Sequence, residues 1–182
     1  PPESPHTATD LRAALLDSVR HHLVADVPVG VFLSAGIDSA SVLGLAVECS
    51  GTPLTALTMG FAEFAGTAAD ERPLARQIAR HFGVNHIERE IGRQDFADAH
   101  DRLLDAMDQP TIDGVNSYMV CQIAREAGFK AVLSGLGGDE LFRGYSTFRV
   151  VPLLARLAGP FSRLPGAGPL FRGLALACLP SS

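Results

Sequence analysis

The sequence predicts an α/β fold in which a parallel sheet of four to five strands carries helices on both faces. Short apolar stretches alternate with segments of helical period along most of the chain, the pattern of strand and crossover helix. The first and last of these stretches, Val29 to Leu33 and Ala131 to Leu133, are apolar throughout, as strands covered on both faces must be. The chain has 182 residues, 47% of them apolar and 19% charged, which suits one domain with a core of its own.

Residues 1–10, rich in Pro, Ser and Thr, read as a linker, with Asp10 placed to cap the helix that follows. That helix carries Leu11, Leu15, Val19 and Leu23 on one face and ends before Pro28. Strand one is Val29 to Leu33, followed by a helix from Ser39 to Cys49. The Gly51-Thr52-Pro53 turn leads into strand two, Leu54 to Met59. A helix from Asp70 to Phe82 stops at Gly83, and His86 to Ile91 reads as strand three. Two helical segments, Asp95 to Met107 and Gly114 to Ala127, precede strand four, Ala131 to Leu133. Residues 11–150 thus form the domain. Over 151–182, apolar stretches broken by Gly and Pro read as two broken helices, the start of an incomplete C-terminal helical region.

Right-handed crossovers carry the chain from strand one to two to three, and the longer excursion before strand four returns it to the other side of strand one, so the expected order is 3-2-1-4. Ligands bind such sheets beyond the carboxyl ends of the strands where the winding reverses. Those ends read SAGIDS and SGLGGDE, unlike anything else in the chain. Ser34, Ala35 and Gly36 are small enough for the backbone to approach a ligand, and a helix start behind them favours an anion. Asp38 and Ser39 allow two readings there: a helix cap alone, or a grip in which the Ser34 and Ser39 hydroxyls hold phosphate while Asp38 holds a metal against it. Ser134, Gly135, Gly137 and Gly138 again permit close approach, and Asp139 and Glu140 add carboxylates at the same edge. Two carboxylates facing phosphate-sized loops imply magnesium. No lysine follows Gly36 as a P-loop requires, Glu140 takes the last glycine position of GxGxxG, and Phe32 excludes a serine-hydrolase elbow.

The net charge of -5, with no basic cluster, argues against a nucleic-acid groove. Cys49, Cys121 and Cys178 are odd in number and far apart, which suits neither a disulfide framework nor a zinc site and fits a reducing cytoplasm. Arg156, Arg163 and Arg172 cut the late apolar stretches below the roughly 20 residues that cross a bilayer. Asp70 and Glu71 read as acids of a helix's first turn. His81 and His86 have a poor metal spacing, and His86 is expected to hydrogen-bond at the start of strand three.

VPVGVFLSAGIDSA resembles the pyrophosphate loop, SGGxDS, of the N-type ATP pyrophosphatases, and SGLGGDELFRGY resembles the SGxGxDExFxGY signature of the synthetase domain of glutamine-dependent asparagine synthetases. The similarity runs from about Leu11 to Pro152, through TMGF, DERPLARQIARHFGVNH and DQPTIDGVNSY. It implies an enzyme that activates a carboxylate with ATP. In that family the β-carboxylate of aspartate attacks the α-phosphorus, and ammonia from a glutaminase domain displaces AMP from the acyl-adenylate. By motif position, Ser34, Gly36, Asp38 and Ser39 would hold the pyrophosphate end, and Asp38 and Asp139 would bind magnesium. Leu33, Met59, Ser134 and Gly135 would flank the adenosine, largely through backbone groups. The implied partners are ATP, a small carboxylate and a glutaminase domain or subunit, without nucleic acid or membrane; a homodimer is left open.

The chain also departs from the family pattern. Ala35 replaces the second glycine of SGGxDS, a change the backbone tolerates where φ is below zero. Leu136 stands where the family carries an acidic residue with a part in the chemistry, so no catalytic residue is assigned. Lys130, the single lysine, precedes strand four and does not match the lysine of the family's later helical region. With neither that region nor a glutaminase domain, the chain is expected to be a truncated synthetase domain, weak or inactive alone. The alternatives are an amidotransferase or cyclase acting on a different carboxylate, β-lactam synthetase-like or peptide-modifying, and a nucleotide-binding module with impaired catalysis.

Overall fold

A computed structural model describes residues 7–158, apart from 110 and 112. Helix α1 (Ala8–His22) begins earlier than the expected linker allows, because Thr7 caps it. The Thr7 Oγ1 accepts the Asp10 amide at 3.2 Å, and the Asp10 carboxylate accepts the Thr7 amide at 2.8 Å, a reciprocal capping box. Asp10 is therefore the third helical residue rather than the cap. Residues 1–6 of the expected linker lie outside the described residues.

The chain continues through β1 (Val29–Phe32), α2 (Ile37–Cys49), β2 (Thr55–Phe61), a short 3-10 turn (Ala62–Phe64) and α3 (Arg72–Phe82). Then come β3 (Asn85–Ile91), α4 (Arg93–Ala106), α5 (Asp113–Glu126) and β4 (Ala131–Leu133). Among the described residues the sheet has four strands, all parallel, in the expected order β3-β2-β1-β4. Alternation along the strands divides the apolar side chains between two cores. Val31, Leu33 and Ala56 pack with Val19, Leu43, Ala75 and Ala79 from α1, α2 and α3. Leu57 and Ile91 point the other way, onto Ala99 of α4 and Met119 and Ile123 of α5. Both faces are covered, which places the ligand-accessible edge at the strand ends.

Two compact units divide the chain between Leu136 and Gly137. The first holds the sheet and α1 to α5. The second contains α6 (Gly138–Phe142) and α7 (Thr147–Ala158), which runs through Pro152. The boundary expected at 150/151 thus falls inside α7. Residues 159–182 of the expected C-terminal region, with Cys178, lie outside the described residues. Among the described residues no helix is long and apolar enough to cross a membrane.

The helix expected from Asp70 begins instead at Arg72, and Asp70 serves Arg72 from ahead of it. The Asp70 carboxylate accepts from Arg72 Nε at 2.7 Å, from Nη2 at 2.9 Å and from the Arg72 amide at 3.2 Å, while Nη1 reaches Glu90 on β3. The Arg72 and Asp70 side chains are only 13% and 8% exposed. The arginine stem lies directly on Gly60 of β2, where a Cβ would come within 2.4 Å of Arg72 Cδ.

Two stability outcomes follow from this cluster. Gly60→Ala should lower stability by about 1–3 kcal/mol, the ordinary cost of overpacking, and Arg72→Ala should remove most of that added cost in a double-mutant cycle read by denaturant unfolding. The hydrogen bond from Arg72 draws the Asp70 carboxyl down from 3.8 to about 2. A depressed carboxyl stabilises the fold above its unfolded value and loses that contribution as pH falls through its folded one. Stability should therefore drop between pH 3.8 and about 2, and Asp70→Asn should flatten that part of an acid-unfolding curve while lowering stability at neutral pH.

Candidate nucleotide site

The carboxyl end of β1 opens into a loop that its own hydroxyls hold shut. Ser39, buried in the first turn of α2, accepts the Ser34 amide at 3.1 Å and lies 2.9 Å from Ser34 Oγ. The same Ser39 Oγ lies 3.2 Å from both the Ser34 and the Gly36 carbonyl oxygens. Ser34 Oγ in turn accepts the Gly36 amide at 3.1 Å. These two hydroxyls, read from sequence as contacts to phosphate, here brace the loop from inside. Gly36, not Asp38 or Ser39, is the N-cap of α2, and it offers no side chain to the first-turn amides.

The consequence is an open anion site. The first helical bond runs from the Ala40 amide to the Gly36 carbonyl, so the amides of Ile37, Asp38 and Ser39 have no acceptor among the described residues. They head a helix of 13 residues, whose dipole adds to their attraction for negative charge. Gly36 is exposed, and a Cβ there would meet only Ser34 Oγ at 3.2 Å. Packing within the protein does not demand a glycine at this point; a ligand lying against the backbone would. Among the described non-glycine residues only Arg143 has a positive φ, so Ala35 meets the condition under which it can replace glycine.

Gly135 joins the second loop to this one. A Cβ on it would fall 2.8 Å from the Ser39 amide nitrogen and 2.9 Å from the Asp38 carbonyl carbon. These are backbone atoms of the helix start and cannot swing aside. Ser134, next to it and exposed, accepts the Leu136 amide at 3.2 Å, the same serine turn that Ser34 makes with Gly36. Leu136 is 89% exposed.

Asp38 is half-buried and makes no hydrogen bond or ion pair among the described residues. One uncommitted carboxylate beside a phosphate-sized anion site fits magnesium, which binds through one or two carboxylates together with substrate phosphates rather than in an all-protein cage. Among the described residues no group of three or more His, Cys, Asp or Glu side chains is placed to hold a metal ion. Asp139 belongs to the second unit. Its Oδ1 lies against Gly144, where a Cβ would be 1.8 Å away, and the Gly144 amide donates to the Asp139 carbonyl at 2.9 Å. The glycine before Tyr145 is thereby explained by the aspartate it accommodates. Gly137, with φ 97°, starts α6, and Tyr145 donates to Glu140 at 3.1 Å.

The remaining expected residues sit at the edge of the first unit. Leu33 is buried; its amide donates to the Leu57 carbonyl at 2.9 Å. Met59 is half-buried against the second core, in a β2 that runs two residues beyond its expected end. The sequence reading missed Thr58. Its hydroxyl lies 2.7 Å from the Leu33 carbonyl oxygen and 2.7 Å from His86 Nε2. A threonine set between Leu57 and Met59, in the middle of the strand, was the available signal. His86 hydrogen-bonds at the start of β3 as expected.

The sequence pattern of asparagine synthase matches residues 10–177. Asparagine synthetase 1 (glutamine-hydrolyzing) of Bacillus subtilis is 33% identical over 158 residues, covering 86% of this chain and 24% of that protein. The chain spans about a quarter of the length of the curated relatives it matches. Among solved structures, the glutamine-dependent NAD+ synthetase of Acinetobacter baumannii, determined with ADP, aligns with a TM-score of 0.53 at 23% identity, over 80% of this chain and 29% of that one. The NH3-dependent NAD synthetase of Campylobacter jejuni aligns with a TM-score of 0.52 at 17% identity, over 78% and 62%. At these identities the likeness establishes the fold alone, a parallel α/β sheet shared with those synthetases. With the sequence pattern covering both loops and the sheet between them, the chain belongs to the asparagine synthase family.

Proposed function

We propose that this domain binds ATP with magnesium and adenylates a carboxylate for amide formation. The observation that carries the reading is the set of three open amides at the start of α2, framed by Gly36, the uncommitted Asp38 and the close-packed Gly135. In the proposed reaction a carboxylate oxygen of the substrate attacks the α-phosphorus, the bond from that phosphorus to the bridging oxygen breaks, and pyrophosphate leaves. Ammonia then attacks the acyl carbon, AMP departs, and the surplus proton passes to solvent. The open amides would hold the pyrophosphate as charge develops on it. Asp38 would hold magnesium there; Asp139, which the family motif pairs with it, lies in the second unit. When bound, the metal neutralises phosphate charge. Leu33, Met59, Ser134 and Gly135 would border the adenosine. A glutaminase domain or subunit would supply ammonia, and aspartate is the carboxylate that the family relationship favours.

Leu136 favours a second reading. An exposed leucine brings no carboxylate to the second loop, which suits a substrate other than aspartate or a domain that binds nucleotide without completing the amide.

Calorimetric titration of the chain with ATP and magnesium tests the proposal. Binding is expected, and Asp38→Asn should weaken it about tenfold in the presence of magnesium, in line with loss of a charged contact, with little change when magnesium is replaced by chelator. Gly135→Ala should weaken nucleotide binding by at least as much, because its methyl would force the second loop away from the helix start. No binding by the unaltered chain would overturn the reading. Carboxylate-dependent release of pyrophosphate, screened over several carboxylates, separates the two versions.

A further inference from the structure

The peptide between Leu33 and Ser34 is held from both sides. Its carbonyl oxygen lies 2.7 Å from Thr58 Oγ1 of β2, and its N–H donates to Ser39 Oγ of α2 at 3.1 Å. A peptide unit is a rigid plane, so two such anchors fix its tilt. That tilt sets the direction in which the chain enters the Ser34–Gly36 loop.

Counting protons defines what the second neighbour of Thr58 must do. The hydroxyl has one hydrogen, and the Leu33 carbonyl can only accept it. His86 Nε2, 2.7 Å from the same oxygen, must then donate. The other ring nitrogen, Nδ1, lies 3.2 Å from Glu88 Oε1. If Nδ1 carried the only ring proton, Thr58 would turn its hydrogen to Nε2 and leave the buried Leu33 carbonyl without it. Glu88 in turn accepts from Arg76 through both oxygens, Nε at 2.7 Å and Nη2 at 2.6 Å. We propose that Thr58 and His86 are positioning residues for the nucleotide loop: His86 donates its Nε2–H to Thr58, which donates to Leu33 and so orients the Leu33–Ser34 peptide. Burial, the largest influence on His86, lowers its pKa from the ordinary 6.5, while the Glu88 carboxylate acts to raise it. The charged groups facing it are Glu88 on its own strand and Arg76 on α3, with Arg72 further along the same face. The run of donors continues through Ser39 into the loop, all in one direction, an arrangement in which each bond polarises the next.

The inference rests on the reading that this loop holds ATP, so its test has one arm that needs no nucleotide. Nitrogen NMR of the histidine rings in the ligand-free chain at pH 7.5 should show the Nε2–H tautomer at His86, and Thr58→Val should shift the Leu33 carbonyl carbon while Thr58→Ser leaves it near its original position. In the second arm, Thr58→Val should weaken ATP binding about fivefold, the equivalent of one hydrogen bond, and Thr58→Ser should restore it. His86→Gln, whose amide nitrogen can replace Nε2 as donor, should keep most of the affinity that His86→Leu loses. An Nδ1–H tautomer, or a Leu33 carbonyl indifferent to Thr58→Val, overturns the proposal. If Thr58→Val does not fold, the tautomer and the serine variant still decide it. Failure of the unaltered chain to bind ATP counts against the nucleotide reading alone, because the ligand-free arm reports on the clamp itself.

Discussion

Everything at this edge of the sheet depends on how closely the loop after β4 approaches the first turn of α2. Parallel pairing of β1 with β4 brings the two loops out side by side, but adjacency alone would leave a gap between them. Gly135 closes it: its Cα packs so near the Ser39 nitrogen and the Asp38 carbonyl that no side chain fits between. The open amides of α2 are consequently walled on one side by backbone. A wall of backbone has no rotamers, so the anion site it bounds keeps its shape without the entropy cost of ordering side chains.

The same economy governs the first loop. Ser34 and Ser39 could each offer a hydroxyl to a ligand, yet the structure uses both to satisfy backbone groups inside the loop. In the proposed function binding strength would come from the open amides of α2, which need no reorganisation when charge arrives. Support from behind reaches two strands deep, through Thr58 on β2 and His86 on β3. Further along β2, the Asp70–Arg72–Glu90 cluster ties α3 to the sheet edge and lays the arginine stem over Gly60. The elements that never touch a ligand thus hold the strand ends from which the loops depart.

The sheet order and the meeting of the two loops were legible because both follow from local patterns and a rule of handedness: apolar strands at Val29 and Ala131, helices between, and two unlike loops at the reversal point. Helix starts were not legible to the residue. Thr7 and Asp10 share a capping box, and composition alone assigned Thr7 to a linker. Asp70 looks like a first-turn acid but is held ahead of the helix by the arginine it binds, a contact that depends on where Glu90 and Gly60 lie in space. Ser34 and Ser39 were expected to turn their hydroxyls to a ligand, and the direction of those hydroxyls was not legible. A serine at a helix start serves ligand or backbone equally well until the neighbouring carbonyls are placed. Thr58 and His86, 28 residues apart, meet only through the register that sets Thr58 opposite Glu88 and Ala56 opposite His86.

That register also explains why a threonine can stand in the middle of the sheet. Its neighbours Ala56 and Leu57 are buried in the two cores, and an isolated hydroxyl at such a depth would be costly. The Leu33 carbonyl falls just past the end of β1, where no strand amide among the described residues is left to pair with it. Each group is the other's remedy, and the geometry that joins them lies one peptide away from the loop. Replacing the pair with apolar contacts would leave the carbonyl buried and unpaired, a cost borne at the strand end from which the loop departs. Fold stability and loop orientation are therefore coupled at this point, because a single hydrogen bond serves both.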